Sequence, residues 1–287
     1  YSCDATDVLR DGDGKPAGII MANRSGRQVV KAKVIIDATP RAAIARIAGA
    51  DFKPYPAGFH TFKYIVVGDQ LRSDNELPAR KMPSPILTSD GPARQAVEYT
   101  LKIPMEDGSF ASFAKAEQIA RDKTWNPTVV DASEVLFQVP PDPLKGRKSL
   151  SGAWPGAEKI DLDVFLPKDI ERLFVLGGCA DVSRSAAAKR LRPLELMKIG
   201  SRIGEAAASQ AKNIPGPVNL KVHDKALQAA GSGDVHENLA GIRTEQKGLT
   251  NISTDKRQVP VLGEYDVVVV GGGTGGAPAG IASARQG

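Results

Sequence analysis

Short apolar runs broken by glycine turns open the chain. Residues 2–9 read as a first short strand, and Arg10-Asp-Gly-Asp-Gly-Lys-Pro16 follows as a turn. Residues 18–23 form a second run, Arg24-Ser-Gly-Arg27 a second turn, and residues 28–39 a third run with a possible break near Ala32. Such spacing predicts an antiparallel meander. Within the third run, Val34-Ile-Ile-Asp37 is continuously apolar up to its acid, the pattern of a strand buried on both faces. A short helix is predicted over 41–50, with Gly49 near its end. Residues 51–164 are interrupted by prolines. They carry strand-like runs at 62–67 and 135–139 and an amphipathic helix at 110–123, which reads as an inserted α+β domain. A buried strand returns at 172–181, followed by a helix over 194–212 whose Gly200, Gly204 and Ala206 to Ala208 permit close approach to a neighbour. Residues 213–262 are polar and read as a linker. The chain closes on four valines, 267–270, then Gly271-x-Gly273-x-x-Gly276 and an alanine-rich helical stretch.

Composition narrows the classes. The 287 residues suit about one or two domains. No apolar run reaches the ~18 residues needed to cross a bilayer, and no signal peptide opens the chain, so a cytoplasmic protein is expected. Tyr1 is not an initiator Met, which implies residues upstream. The net charge of +5 reads as a solvated mixed surface rather than a nucleic-acid footprint. Cys3 and Cys179 are too few and too far apart for a disulfide framework or a zinc site. No histidine pair has metal-ligand spacing, and no G-x-S-x-G elbow occurs.

The closing segment carries chemistry. A GxGxxG motif between a strand and a helix is a dinucleotide loop. Gly271 permits the tight turn, Gly273 lets the backbone approach a diphosphate, and Gly276 lets helix and strand pack closely. The acid that distinguishes cofactors belongs roughly 20 residues further on, beyond Gly287, so the loop alone leaves FAD and NAD open.

Three other segments carry a family likeness: Ala32-Lys-Val-Ile-Ile-Asp-Ala-Thr-Pro40, Leu176-Gly-Gly-Cys-Ala-Asp181, and Arg192-Pro193 leading to Ile199-Gly-Ser-Arg-Ile-Gly-Glu-Ala-Ala-Ala208. With the glycine loop they resemble the FAD-dependent oxidoreductases of the glutathione-reductase-like fold. The resemblance implies an α/β fold: a discontinuous Rossmann-like FAD domain from residues 1–50 and 165–212, a cap of residues 51–164, and a βα unit at 263–287. It implies FAD as cofactor, hydride exchange with a small-molecule substrate, and cofactor contacts at Asp37, Thr39, Gly177, Gly178, Asp181, Arg192, Gly271, Gly273 and Gly276. Two positions depart from the family pattern: Pro40 replaces a usual glycine, and no Gly-Asp pair follows Gly177. The order departs too, because the family's glycine loop comes first. Either the chain joins the tail of one flavoprotein unit to the start of another, the reading adopted, or the last strand completes the same sheet in a permuted or split protein. The tandem reading implies a second polypeptide or copy to complete the flavin site. Two other functions stay open: a non-catalytic subunit with a degenerate flavin site, and an NAD-dependent dehydrogenase.

Other candidates are single residues. Cys179 beside the Gly-Gly turn is either a redox thiol or a small buried residue. Arg184, Lys189, Arg190 and Arg192 cluster after that turn, and Arg192, at the helix entry, is the favoured anion-binding group. His60 between Phe59 and Phe62 is either an acid–base group or a packed ring. His223 and His236 read as surface residues. Asp37 is either a cofactor ligand or a turn cap. Trp125 and Trp154 are expected in the core of the inserted domain.

Overall fold

The computed structural model describes residues 3–23, 26–68, 72, 77–87, 91, 93–216, 218–222 and 261–287. The protein is mixed α/β and divides into two compact units. Their described residues fall in Tyr1–Pro54, Val139–Glu237 and Gly248–Gly287 for the first, and in Tyr55–Gln138 for the second.

The first unit is built on one sheet. Strands β1 (Asp4–Arg10), β2 (Pro16–Asn23) and β3 (Gly26–Asp37) form the expected meander, paired antiparallel in sequence. β3 runs unbroken through Ala32, and its two halves have different neighbours. The first half pairs with β2, while Ile35 to Asp37 pair in parallel with β8 (Leu173–Val175). Along its other edge runs β10 (Val261–Val270), parallel, from Val261↔Val29 to Val270↔Asp37 with a register shift between Val261 and Gly263. A two-residue strand, β9 (Lys221–Val222), pairs with β1. The sheet order is therefore β10-β3-β2-β1-β9, with β8 also on β3. The closing strand lies beside the Val34–Asp37 run.

Alternating side chains of β3 feed two cores. Val34 and Ile36 pack with Phe174, Leu176, Ile199, Ile203 and Ala279 on one face. Ile35 packs with Leu173, Val175, Ile44, Ile47 and Leu144 on the other. Each fully buried aliphatic side chain contributes about 1.5–3 kcal/mol, so both faces demand apolar residues and the strand reads as a continuous run. Helix α1 (Ala43–Ile47) covers the second face, and α3 (Arg184–Arg190) follows β8. α4 (Pro193–Lys212) starts with proline at its first turn, where the missing N–H costs nothing. Ile199, Gly200, Ile203, Gly204, Ala207 and Ala211 form its buried stripe. α4 packs against α5 (Gly276–Arg285) almost backbone to backbone: a Cβ on Gly200 or Gly204 would lie 2.2 Å from the Gly275 or Ala279 carbonyl oxygen. The Ser283 hydroxyl donates to the Gly204 carbonyl at 3.0 Å across that contact.

The second unit is an antiparallel sheet ordered β5-β6-β4-β7, from β4 (Gly58–Val67), β5 (Ala79–Lys81), β6 (Ala96–Met105) and β7 (Asp131–Ala132). Helix α2 (Phe110–Thr124) packs on it, its N-terminus capped by the Ser109 hydroxyl accepting from the Ser112 amide. Phe62, Tyr64, Val66, Tyr99, Leu101 and Ile103 alternate along β4 and β6 into its core.

Four expectations need correction. Residues 139–164 pack with the first unit, because Leu144, Ile160 and Val164 belong to its cores. Residues 135–139 form no strand; only Phe137 bridges to Lys63. Trp125 is 63% exposed rather than core. Trp154 lies in the first unit, where its indole N–H donates to Glu195 at 2.7 Å. His223, His236 and most of the expected linker lie outside the described residues.

Candidate functional site

Three loops leave the carboxyl ends of the parallel strands β10, β3 and β8 on one edge of the sheet. They are laced to one another. The Ala38 amide donates to Val270 O at 2.7 Å, Leu176 N to Asp37 O at 2.9 Å, and Gly178 N to Pro40 O at 3.3 Å. In open α/β sheets ligands bind in the crevice at this edge.

The loop after β10 has the geometry its glycines imply. Gly271 sits at φ 102°, a left-handed conformation that glycine adopts without strain. A Cβ on Gly276 would lie 1.8 Å from the Gly271 carbonyl oxygen, so the helix can start only on glycine. A Cβ on Gly272 or Gly273 would meet nothing within 4 Å. The loop is therefore closed on its inner side and open on its outer side at Gly273. α5 starts at Gly275 without a side-chain cap, and the first backbone bond back into the loop runs from Ala277 N to Gly273 O at 3.1 Å. The amides before Ala277 belong to the first turn of a helix, whose dipole favours an anion. These residues fit a diphosphate.

The loop after β3 is organised from within. The Asp37 side chain is fully buried. It accepts from the Thr39 amide (3.0 Å), the Thr39 hydroxyl (2.6 Å) and the Ala45 amide (2.9 Å). Burial raises its pKa above the ordinary 3.8, against these lowering hydrogen bonds. Thr39 Oγ1 in turn accepts from Ala43 N at 2.8 Å. Both side chains hold the β3–α1 turn, the capping alternative for Asp37. Ala42 adopts φ 54° at the start of α1.

The β8 loop is equally committed. A Cβ on Gly177 would lie 2.0 Å from Thr39 O, and one on Gly178 2.7 Å from Pro140 Cγ. These glycines serve close packing of protein on protein. Asp181 accepts from the Gly146 amide (3.0 Å) and the Ser149 hydroxyl (2.9 Å), tying down the 146–149 segment. Cys179 is buried and its thiol is pushed up to about 11, first by desolvation, then by Asp142. At neutral pH it is a protonated thiol, which fits the small buried residue rather than the redox group. Beside it, Asp142 is 2% exposed and takes ion pairs from Arg41 (2.6 Å) and Arg46 (2.8 Å), with Arg46 stacked 3.8 Å over Phe52.

No family model matches this chain, and no curated protein sequence matches it. Among solved structures it is similar to OxyS anhydrotetracycline hydroxylase from Streptomyces rimosus, at TM-score 0.38 and 13% identity over 74% of this chain and 38% of that one. AlpK follows at TM-score 0.39 and 15% identity over 73% and 39%. CabE, an aromatic hydroxylase from angucycline biosynthesis, matches at TM-score 0.37 and 12% identity over 74% and 40%. The chain thus spans about two-fifths of the length of these structures.

Of the residues singled out from sequence, the structure brings Gly271, Gly273, Gly276, Asp37, Thr39, Gly177 and Gly178 to one edge of the first unit. Arg192 is exposed at the start of α4 and makes no capping bond. His60 belongs to the second unit. There it is 7% exposed, its Nε2 is 2.7 Å from Pro56 O, and its ring packs 4.8 Å from Tyr55, the packed-ring alternative. Sequence reasoning passed over Asp142, Arg41 and Arg46, which carry no local signal. Arg190, one of the four basic residues clustered after the Gly-Gly turn, is fully buried. The signal for Arg190 was its place on one helix face with the buried Ala186 and Ala187.

Proposed function

We propose that this chain is a flavin-dependent oxidoreductase unit that holds FAD at the carboxyl edge of its first sheet. The observation that carries the reading is the loop 271–276, closed inward at Gly276, open outward at Gly273 and set at an uncapped helix start beside β3. Preference for FAD over NAD rests on the likeness of the β3, β8 and α4 segments to FAD-dependent oxidoreductases, and on the meander that feeds β3. When bound, the flavin supplies the hydride chemistry with a small-molecule substrate. The chain's own contribution is placement and electrostatics. Gly271 turns the backbone, Gly273 leaves room for the diphosphate, and the first turn of α5 offers its amides to the negative charge. Asp37 and Thr39 fix the neighbouring turn. Arg41, Arg46 and Asp142 anchor that turn to the 139–144 segment.

The non-catalytic reading draws support from one observation: Thr39 and Pro140 fill the space beside Gly177 and Gly178. Purified chain incubated with FAD, freed of excess cofactor and scanned in the visible range tests the proposal. A flavin spectrum that bleaches on dithionite and returns in air supports it. Protein without flavin absorbance at saturating FAD defeats it.

A further inference from the structure

Arg190 is a buried cation that the dinucleotide loop does not touch. It has no exposure, and among the described residues no carboxylate pairs with it. Its guanidinium donates to Leu176 O at 3.2 Å and Gly177 O at 2.9 Å and stands 5.7 Å from the Phe165 ring centre. Its Nε has no partner. Desolvation pulls its pKa down to about 10, which still leaves it charged at neutral pH. A buried charge without a counter-ion is costly, and proteins keep such groups where something compensates them.

Leu176 shows where the compensation belongs. Its carbonyl accepts Arg190, while its side chain comes within 3.2 Å of where a Cβ on Gly275 would stand. Buried Leu176 thus touches both, the guanidinium through its carbonyl and the glycine loop through its side chain. Screening is weak there, and a charge acts without touching its partner. The acids of that edge are already engaged: Asp37 by three hydrogen bonds, and Asp181 by the Gly146 amide and the Ser149 hydroxyl.

We propose that Arg190 is the resident counter-charge for the diphosphate held at Gly271–Gly276, a positioning residue that biases the crevice toward anionic dinucleotides. The proposal rests on the dinucleotide reading above. A purely structural Arg190, clamping two carbonyls at the end of β8, behaves differently. A clamp needs the planar guanidinium fork, whereas a counter-charge needs only its charge.

Titrations of wild type, Arg190→Gln and Arg190→Lys with ADP and with adenosine separate the two. ADP is expected to bind Arg190→Gln about tenfold more weakly than wild type, with adenosine nearly unchanged, and Arg190→Lys is expected to stay within about threefold of wild type for ADP. Equal ADP affinity in Arg190→Gln and wild type overturns the proposal and leaves the dinucleotide reading standing. So does a loss in Arg190→Lys as large as in Arg190→Gln. If Arg190→Gln does not fold, Arg190→Lys decides: retained ADP affinity supports the counter-charge, and a tenfold loss in folded protein overturns it. Wild type that binds neither ADP nor FAD removes the dinucleotide reading itself.

Discussion

Replacing Gly273 and Gly276 separately by alanine distinguishes a glycine kept for a ligand from one kept for the fold. At Gly276 the new Cβ would lie 1.8 Å from Gly271 O, 2.9 Å from Gly271 C and 3.1 Å from Ala38 Cβ. Two of those atoms are backbone and cannot swing away. Overpacking of this kind costs about 1–3 kcal/mol, offset by the roughly 1 kcal/mol that alanine gains over glycine in a helix. The net loss for Gly276→Ala is about 0–2 kcal/mol, and the clash with rigid backbone places it at the upper end of that range. At Gly273 the new Cβ meets nothing within 4 Å. Gly273→Ala should therefore hold wild-type stability within about 0.5 kcal/mol. The same methyl stands where a diphosphate must approach the backbone. Losing one charge-assisted amide contact, about 1.5–3 kcal/mol, weakens FAD and ADP by roughly 10- to 100-fold. Urea denaturation reads the first quantity and fluorescence titration the second. Gly273→Ala protein that binds FAD within twofold of wild type would refute the loop as the diphosphate cradle. Gly276→Ala protein as stable as wild type would refute the tight helix start.

Three further outcomes follow from buried groups. The Asp37 pKa is raised in the folded protein, so above the ordinary 3.8 the native state holds more protons than the unfolded one and stability falls as pH rises toward the folded value. Asp37→Asn should remove that slope; a wild-type-minus-variant stability that climbs between about pH 4 and pH 7 in urea melts would contradict the burial argument. Cys179, with its thiol pushed up to about 11, should stay unreactive toward a disulfide reagent at about pH 8, leaving exposed Cys3 as the single titrated thiol until urea is added. Two fast-reacting thiols in native protein would show that Cys179 is accessible. Asp142→Ala strips the shared partner from Arg41 and Arg46 and should cost about 3 kcal/mol in urea unfolding, whereas a loss below about 0.5 kcal/mol would mean that the two arginines repartner in water.

Features that depend on local chemistry were legible in the chain. The meander follows from alternation and glycine turns, the Val34–Asp37 run from two-sided burial, and the α4–α5 contact from Gly200 and Gly204. The glycine loop was legible because its constraints lie within six residues. What depends on distant partners was not. Asp37 reads as a ligand or a turn cap, and the partners that make it a cap, Thr39 and Ala45, declare themselves only once the backbone turns. Gly177 and Gly178 look like ligand glycines and instead admit Thr39 and Pro140. Ala96–Met105 alternates cleanly inside a proline-broken stretch that hides it, and residues 135–139 meet β4 only through the Phe137–Lys63 bridge, too little pairing to make an apolar run a strand. The position of β10 in the sheet stayed one of two alternatives in the sequence, because parallel pairing is set by the free edge of β3.

Calorimetric titration of the purified chain with FAD and, separately, with NAD tests the central claim most directly. The account predicts saturable binding of one FAD per chain, weakened at least tenfold by Gly273→Ala, with NAD binding more weakly than FAD. Tighter binding of NAD than of FAD, or FAD binding that ignores Gly273→Ala, would contradict it.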